Sequence, residues 1–141
     1  MSSLVVFGAN GATGHVIVQE ALRAGHAVTA AVRDPDAFRA VPDELRGAPL
    51  DVARADIRDI DTVRSAVAGH DAVISAIGPS GRHADKLYSE GARTLVTALL
   101  AVGVQRLVAL SSSIPRADLA RFVVQAAEGD RWSHSRPTIV R

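Results

Sequence analysis

Gly8, Gly11 and Gly14 recur at three-residue spacing directly after an apolar run at residues 4–7, and that pattern suits phosphate chemistry. Behind them Val18, Ala21 and Leu22 share one helical face, so the stretch reads as buried strand, tight turn and helix. Such a turn aims free backbone N–H groups and the positive end of a helix dipole at one point. A phosphate or pyrophosphate is the usual occupant. Gly8 permits the turn, Gly11 lets the backbone approach a pyrophosphate, and Gly14 lets the helix pack close to the strand. The expected seat lies over Gly11, Ala12 and Thr13, with Asn10 in the same turn. A lone glycine-rich turn is common, so this reading rests on what surrounds it.

Other chemistry is sparse. There is no cysteine, which excludes disulfides, thiolate metal sites and a cysteine nucleophile. No grouping of His, Asp and Glu has metal-ligand spacing. His15, at the start of the first helix, reads as a phosphate contact or as a solvated helix residue. His26 and His70 each follow a helix-ending glycine and read as structural punctuation. His83 lies in the loop after the fourth strand and is a candidate proton donor. Arg33 directly follows the second strand, where a carboxylate would grip the ribose hydroxyls of NAD; an arginine can pair with a 2′-phosphate and favours NADP instead. The alternative for Arg33 is a solvated turn residue paired with Asp34 or Asp36.

The elements that must position these residues follow from periodicity. A helix over residues 12–24 stops at Gly25, and a strand follows at 27–32. Residues 36–46 are predicted to form at most a short polar helix interrupted by Pro42. A third strand over 49–55 carries alternating charges. Asp59 caps a helix with Ile60, Val63, Ala66 and Val67 on one face, closed by Gly69, and residues 71–77 form a buried strand. A long helix over 85–102 turns Ala92, Leu95, Val96 and Leu99 inward and ends at Gly103. A fifth strand at 106–110 follows. Leu119, Phe122, Val123 and Ala126 mark a last helical face, and a sixth strand is expected at 138–140.

This alternation predicts an α/β fold: a Rossmann-type doubly wound parallel sheet of five to six strands, helices on both faces, order 3-2-1-4-5-6. Ligands of such sheets bind beyond the carboxyl ends of the strands, at the switch point between strands one and four. The segments 8–14, Arg33, Asp56, 76–78 and 111–113 all fall at those ends.

Composition fits one domain across residues 1–141. The chain is 48% hydrophobic but only 4% aromatic, as expected for a Val, Ala and Leu core. A net charge of +1 offers no field for nucleic acid or an acidic membrane. No apolar run approaches the roughly 20 residues of a membrane-spanning helix. Met1, Ser2 and Ser3 lead straight into the first strand, so no signal peptide and a cytoplasmic location are expected.

Five motifs occur in order: residues 8–14, 32–35, 56–59, 69–78 and 89–93, followed by Leu110, Ser111 and Ser112. Together they resemble the atypical short-chain dehydrogenase/reductases of the NAD(P)H-binding, NmrA-like type. The resemblance covers residues 4 to about 112. It implies a bound dinucleotide, NADP(H) ahead of NAD(H), held by Gly8, Asn10, Gly11, Ala12, Thr13, Gly14, Arg33, Asp56, Ile57, Ala76, Ile77 and Gly78. Asp56 resembles the family acid near the adenine; its alternative is a surface aspartate starting a turn. Ser111 and Ser112 sit where relatives place a serine near the nicotinamide, and a serine there can donate a hydrogen bond to a substrate carbonyl. Their alternative is to satisfy backbone at the strand end.

The sequence also departs from the family. Residues 114–120 resemble a helix start that relatives carry nearer their C-terminus, after a long substrate-side segment, so a family segment is expected to be missing after about residue 113. The Tyr-x-x-x-Lys pair is absent, since Tyr88 is followed four residues on by Ala92. The resemblance implies an NADPH-dependent reductase passing hydride to a flavin-, quinone- or carbonyl-type acceptor, with weak and substrate-tolerant activity. A non-catalytic dinucleotide sensor and a truncated scaffold are the alternatives. The expected partners are the dinucleotide and a small-molecule substrate, in a monomer or weak homodimer.

Overall fold

The computed structural model describes residues 2–77, 84–104, 106–109 and 116–128. In chain order the elements are β1 (Ser3–Phe7), α1 (Ala12–Arg23), β2 (Ala27–Val32), β3 (Leu50–Arg54), α2 (Ile60–Val67), β4 (Ala72–Ser75), α3 (Ala84–Val102), β5 (Leu107–Ala109) and α4 (Arg116–Glu128). The five strands form one parallel sheet in the order β3-β2-β1-β4-β5. The fold is α/β and Rossmann-like. The expected sixth strand at 138–140 lies outside the described residues.

β1 is central, and a strand covered on both faces must be apolar throughout. Leu4, Val5 and Val6 are fully buried. Leu4 and Val6 join one core with Ile17, Val18 and Val123, against α1 and α4. Val5 and Phe7 join the other with Val63, Leu95 and Leu99, against α2 and α3. The strands also end in step: Phe7 pairs with Ala31 on one side and Ser75 on the other. Their following loops therefore open on one edge of the sheet.

β3 is an edge strand, which explains its mixed composition: Asp51 and Arg54 are exposed and Val52 is 39% exposed. The β2–β3 crossover contains two short 3₁₀ turns, Pro35–Ala37 and Asp43–Leu45, instead of a polar helix. Asp34 caps only the first turn, and Pro42 precedes the second. The crossover is apolar beneath, with Phe38, Val41 and Leu45 packed on the α1 side of the sheet.

One helical face differs from expectation. On α3, Leu95, Ala98 and Leu99 are buried, but Val96 is 46% exposed beside exposed Thr97 and Leu100. A turn of about 100° per residue carries Val96 off the stripe of Leu95 and Leu99. On α4 the described buried side chains are Ala120, Val123, Val124 and Ala127. Val123 belongs to the expected face; the side chains of Leu119, Phe122 and Ala126 lie outside the description, as does that of Ala92 on α3.

α4 is tied down at its end. His26 Nδ1 accepts from the Ser2 N–H at 3.0 Å, which leaves Nε2–H to face the Glu128 carboxylate. Arg106 donates to the carbonyls of Ala127 and Glu128, both at 3.2 Å. His70 bridges through Nε2 to Thr29 at 3.0 Å. Both histidines after helix-ending glycines thus tie neighbouring elements together.

Candidate dinucleotide-binding site

The β1–α1 turn is built by close backbone approach. Gly8 has φ +71°, and a Cβ there would lie 2.8 Å from the carbonyl carbon and oxygen of Ala76. A Cβ on Gly14 would lie 2.0 Å from Gly8 O, so helix and turn touch where no side chain fits. Gly11 is different: its φ of −74° is open to any residue, and a Cβ would meet only Gly8 O at 3.2 Å.

Gly11 N–H is spent inside the turn, donating to Gly8 O at 3.0 Å, and His15 N–H donates to Gly11 O at 3.0 Å. Among the described residues, nothing accepts from the N–H groups of Ala12, Thr13 and Gly14, and no side chain caps α1. Three adjacent donors at a helix N-terminus make an anion seat. Within the stretch expected as the seat, Gly11, Ala12 and Thr13, the Gly11 N–H is the one already engaged.

Ala12 and Thr13 line a cleft of about 680 Å³ beyond the carboxyl ends of the strands, a size that suits a cofactor. Of the expected site residues, Gly8, Asn10, Gly11, Ala12, Thr13, Arg33, Asp56, Ile57, Ala76 and Ile77 line it. Gly14 lies behind the wall. Gly78, Ser111 and Ser112, with His83, are outside the described residues. The cleft is also lined by Phe7, Ala31, Val32, Ala55 and Arg58. The first four end strands or follow them, and strand register would have found them.

The far end of the cleft is charged. Asp56 Oδ1 accepts from the Arg58 N–H at 2.9 Å, and the Arg58 guanidinium reaches both carboxylate oxygens at 3.3 Å. These contacts, the backbone N–H first, hold the Asp56 carboxyl below its ordinary value, and the Arg33 charge adds to them. Arg33 is exposed at the cleft wall. Among the described residues it makes no ion pair with Asp34 or Asp36; the Asp34 Oδ1 accepts from the Asp36 N–H at 3.1 Å.

His15 is not solvated. It is buried, its ring meets Phe38 edge-on with centroids 5.6 Å apart, and its Nδ1 has no hydrogen-bond partner among the described residues. Burial first, then the nearby Arg39 charge, push its pKa below the ordinary histidine value; the carbonyls of Ala40 and Ala9 oppose this more weakly. α1 carries it under the crossover rather than toward the cleft.

A model of the NAD(P)H-binding family matches residues 8–113, three quarters of the chain. The chain belongs to this NAD(P)H-binding family. A nicotinamide dinucleotide is its cofactor class. The chain is 36% identical over 112 residues to cinnamoyl-CoA reductase 1 of Oryza sativa subsp. japonica, matching 76% of this chain and 33% of that protein. A Burkholderia pseudomallei protein of known structure is 30% identical, with TM-score 0.62, over 90% of this chain and 64% of that one. The oxidoreductase ylbE from Lactococcus lactis, 16% identical, shares the fold at TM-score 0.68 over 94% of this chain and 64% of its own. This member of the family thus spans a third of the reductase and under two thirds of both solved chains.

Proposed function

We propose that the chain binds NADP(H) in this cleft and is an NADPH-dependent reductase that passes hydride to a flavin-, quinone- or carbonyl-type acceptor. The observation that carries the cofactor choice is Arg33, an exposed guanidinium at the cleft wall beyond β2 with no ion pair to Asp34 or Asp36. A carboxylate there would hold ribose hydroxyls; a guanidinium suits a 2′-phosphate.

The N–H groups of Ala12 and Thr13, beside Gly11, hold the pyrophosphate. Asp56, kept ionised by Arg58, stands at the adenosine end with the apolar wall of Ile57. Ala76 and Ile77 form the wall at the switch point, toward Gly78. Ser111 and Ser112 are the candidate donors to an acceptor carbonyl. The bound nicotinamide supplies the hydride; the protein's part is orientation and charge. The reductase reading draws on the 36% identical cinnamoyl-CoA reductase 1. A dinucleotide sensor is the second reading, favoured by the missing lysine four residues after Tyr88.

The test is a pair of titrations. A charge-assisted hydrogen bond contributes about 1.5–3 kcal/mol, so Arg33→Ala lowers NADPH affinity roughly ten- to a hundredfold and leaves NADH affinity unchanged. Equal loss for both cofactors overturns the assignment. NADPH oxidation with flavin, quinone and aldehyde acceptors separates reductase from sensor.

A further inference from the structure

Both polar ends of the Asn10 side chain are engaged within the protein. Its Nδ2 donates to Ala37 O at 3.0 Å, and its Oδ1 accepts from the Arg39 N–H at 3.0 Å. Arg39 returns the contact: Nη2 donates to Asn10 O at 3.1 Å and to Gly11 O at 3.3 Å. Four hydrogen bonds therefore join the phosphate turn to a segment 27 to 29 residues further along the chain. The segment is itself held in shape. The Asp34 carboxylate takes the Asp36 N–H, Ala37 N–H reaches Asp34 O at 3.2 Å, and Phe38 N–H reaches Pro35 O at 3.2 Å. Phe38 then packs on the His15 ring.

The consequence follows from peptide planarity. The C=O of one residue and the N–H of the next point in opposite directions across the bond they share. Gly11 O is held between Arg39 Nη2 and the His15 N–H, so the Ala12 N–H is turned the other way, out of the helix start. Asn10 O is held by the same nitrogen, so the Gly11 N–H is turned to Gly8 O. The Arg39 charge also offsets two carbonyl oxygens that would otherwise repel an anion at this turn.

We propose that Asn10 and Arg39 are positioning residues that hold the phosphate turn ready for a pyrophosphate, acting through the backbone of residues 10–12 without touching the ligand. This rests on the proposed function only in taking the cleft as a dinucleotide site. It gives the crossover two separate duties: Arg33 discriminates between dinucleotides, and Arg39 serves every dinucleotide alike. It also replaces the expectation that Asn10 contacts the cofactor.

The experiment uses three probes, NADPH, NADH and inorganic pyrophosphate, on the full chain and on Asn10→Ala, Arg39→Ala, Arg39→Lys and the double Ala variant. Each single Ala variant weakens all three probes by the same factor, roughly tenfold. The double variant is little worse than either single, since both break one unit. Arg39→Lys keeps the charge but lacks the planar fork, so the defect persists. A loss confined to NADPH, full rescue by lysine, or an Asn10→Ala variant with wild-type binding each overturns the proposal. Amide ¹⁵N relaxation of the ligand-free protein supplies a readout that survives failure of the dinucleotide assignment. Order parameters at residues 10–13 fall in both Ala variants while those of β1 and β4 hold; unchanged values at 10–13 also overturn it.

Discussion

Gly11 and Gly14 belong to one motif but fail differently when substituted. Gly14→Ala places a carbon 2.0 Å from Gly8 O, against backbone that cannot yield alone. Overpacking of this kind costs about 1–3 kcal/mol or more, so thermal denaturation shows Gly14→Ala clearly destabilised. Gly11→Val sits at an ordinary backbone angle and its Cβ meets only Gly8 O at 3.2 Å, so it costs less stability than Gly14→Ala while dinucleotide affinity is lost. Wild-type affinity in Gly11→Val would contradict this. His15 gives a pH signature. Its folded pKa is depressed, so the unfolded chain takes up a proton first, near the ordinary value of about 6.5, and the folded chain only at lower pH. The contribution from neutral His15 is complete above that value and declines as pH falls from it toward the folded pKa. His15→Phe removes the unpartnered Nδ1 and this part of the slope. Identical stability–pH profiles in wild type and His15→Phe between pH 7 and 5 would show that His15 does not titrate differently on folding.

At the scale of elements, α1 does two jobs. Its N-terminus presents the anion seat, and its buried stripe of Ile17, Val18, Ala21 and Leu22 packs under the sheet alongside α4. Ile17 is fully buried in that layer, and an Ile→Ala change in such a place costs about 2–5 kcal/mol. Denaturant titration of Ile17→Ala reads that cost as a lower midpoint at unchanged slope. Because the helix is also the phosphate platform, NADPH affinity measured well below the midpoint stays near wild type. A large affinity loss in the still-folded variant would show that the seat depends on core packing beyond what the turn supplies. The alternation of strands and helices was legible because each element carries its own period and stop signal. The crossover at 34–46 was not, since its 3₁₀ turns are too short to set up a period.

At the scale of the whole molecule, the cleft walls come from strand ends, the start of α1 and loops at one edge of one sheet, so ligand binding reports on the assembled fold. A ligand at 100 times its Kd adds about 2.7 kcal/mol to stability. Saturating NADPH therefore raises the unfolding temperature by several degrees. No shift with NADPH or with NADH would remove the cleft as a dinucleotide site. The same measurement on Arg33→Ala keeps the NADH shift and loses most of the NADPH shift.

By itself the sequence determined the α/β alternation, the parallel sheet and the glycine turn. A strand buried on both faces must be apolar throughout, and a turn made by backbone contact must be glycine, wherever the rest of the chain goes. Ten of the expected site residues reached the cleft for the same reason: strand ends in register bring their loops to one edge. Only the tertiary structure decided that His15 is buried, that Val96 faces outward and that the Asn10 side chain is occupied by residues 37–39. Each depends on partners distant in sequence or on neighbours around a helix, and hydrogen bonding between an asparagine and an arginine 29 residues later leaves no periodicity to read.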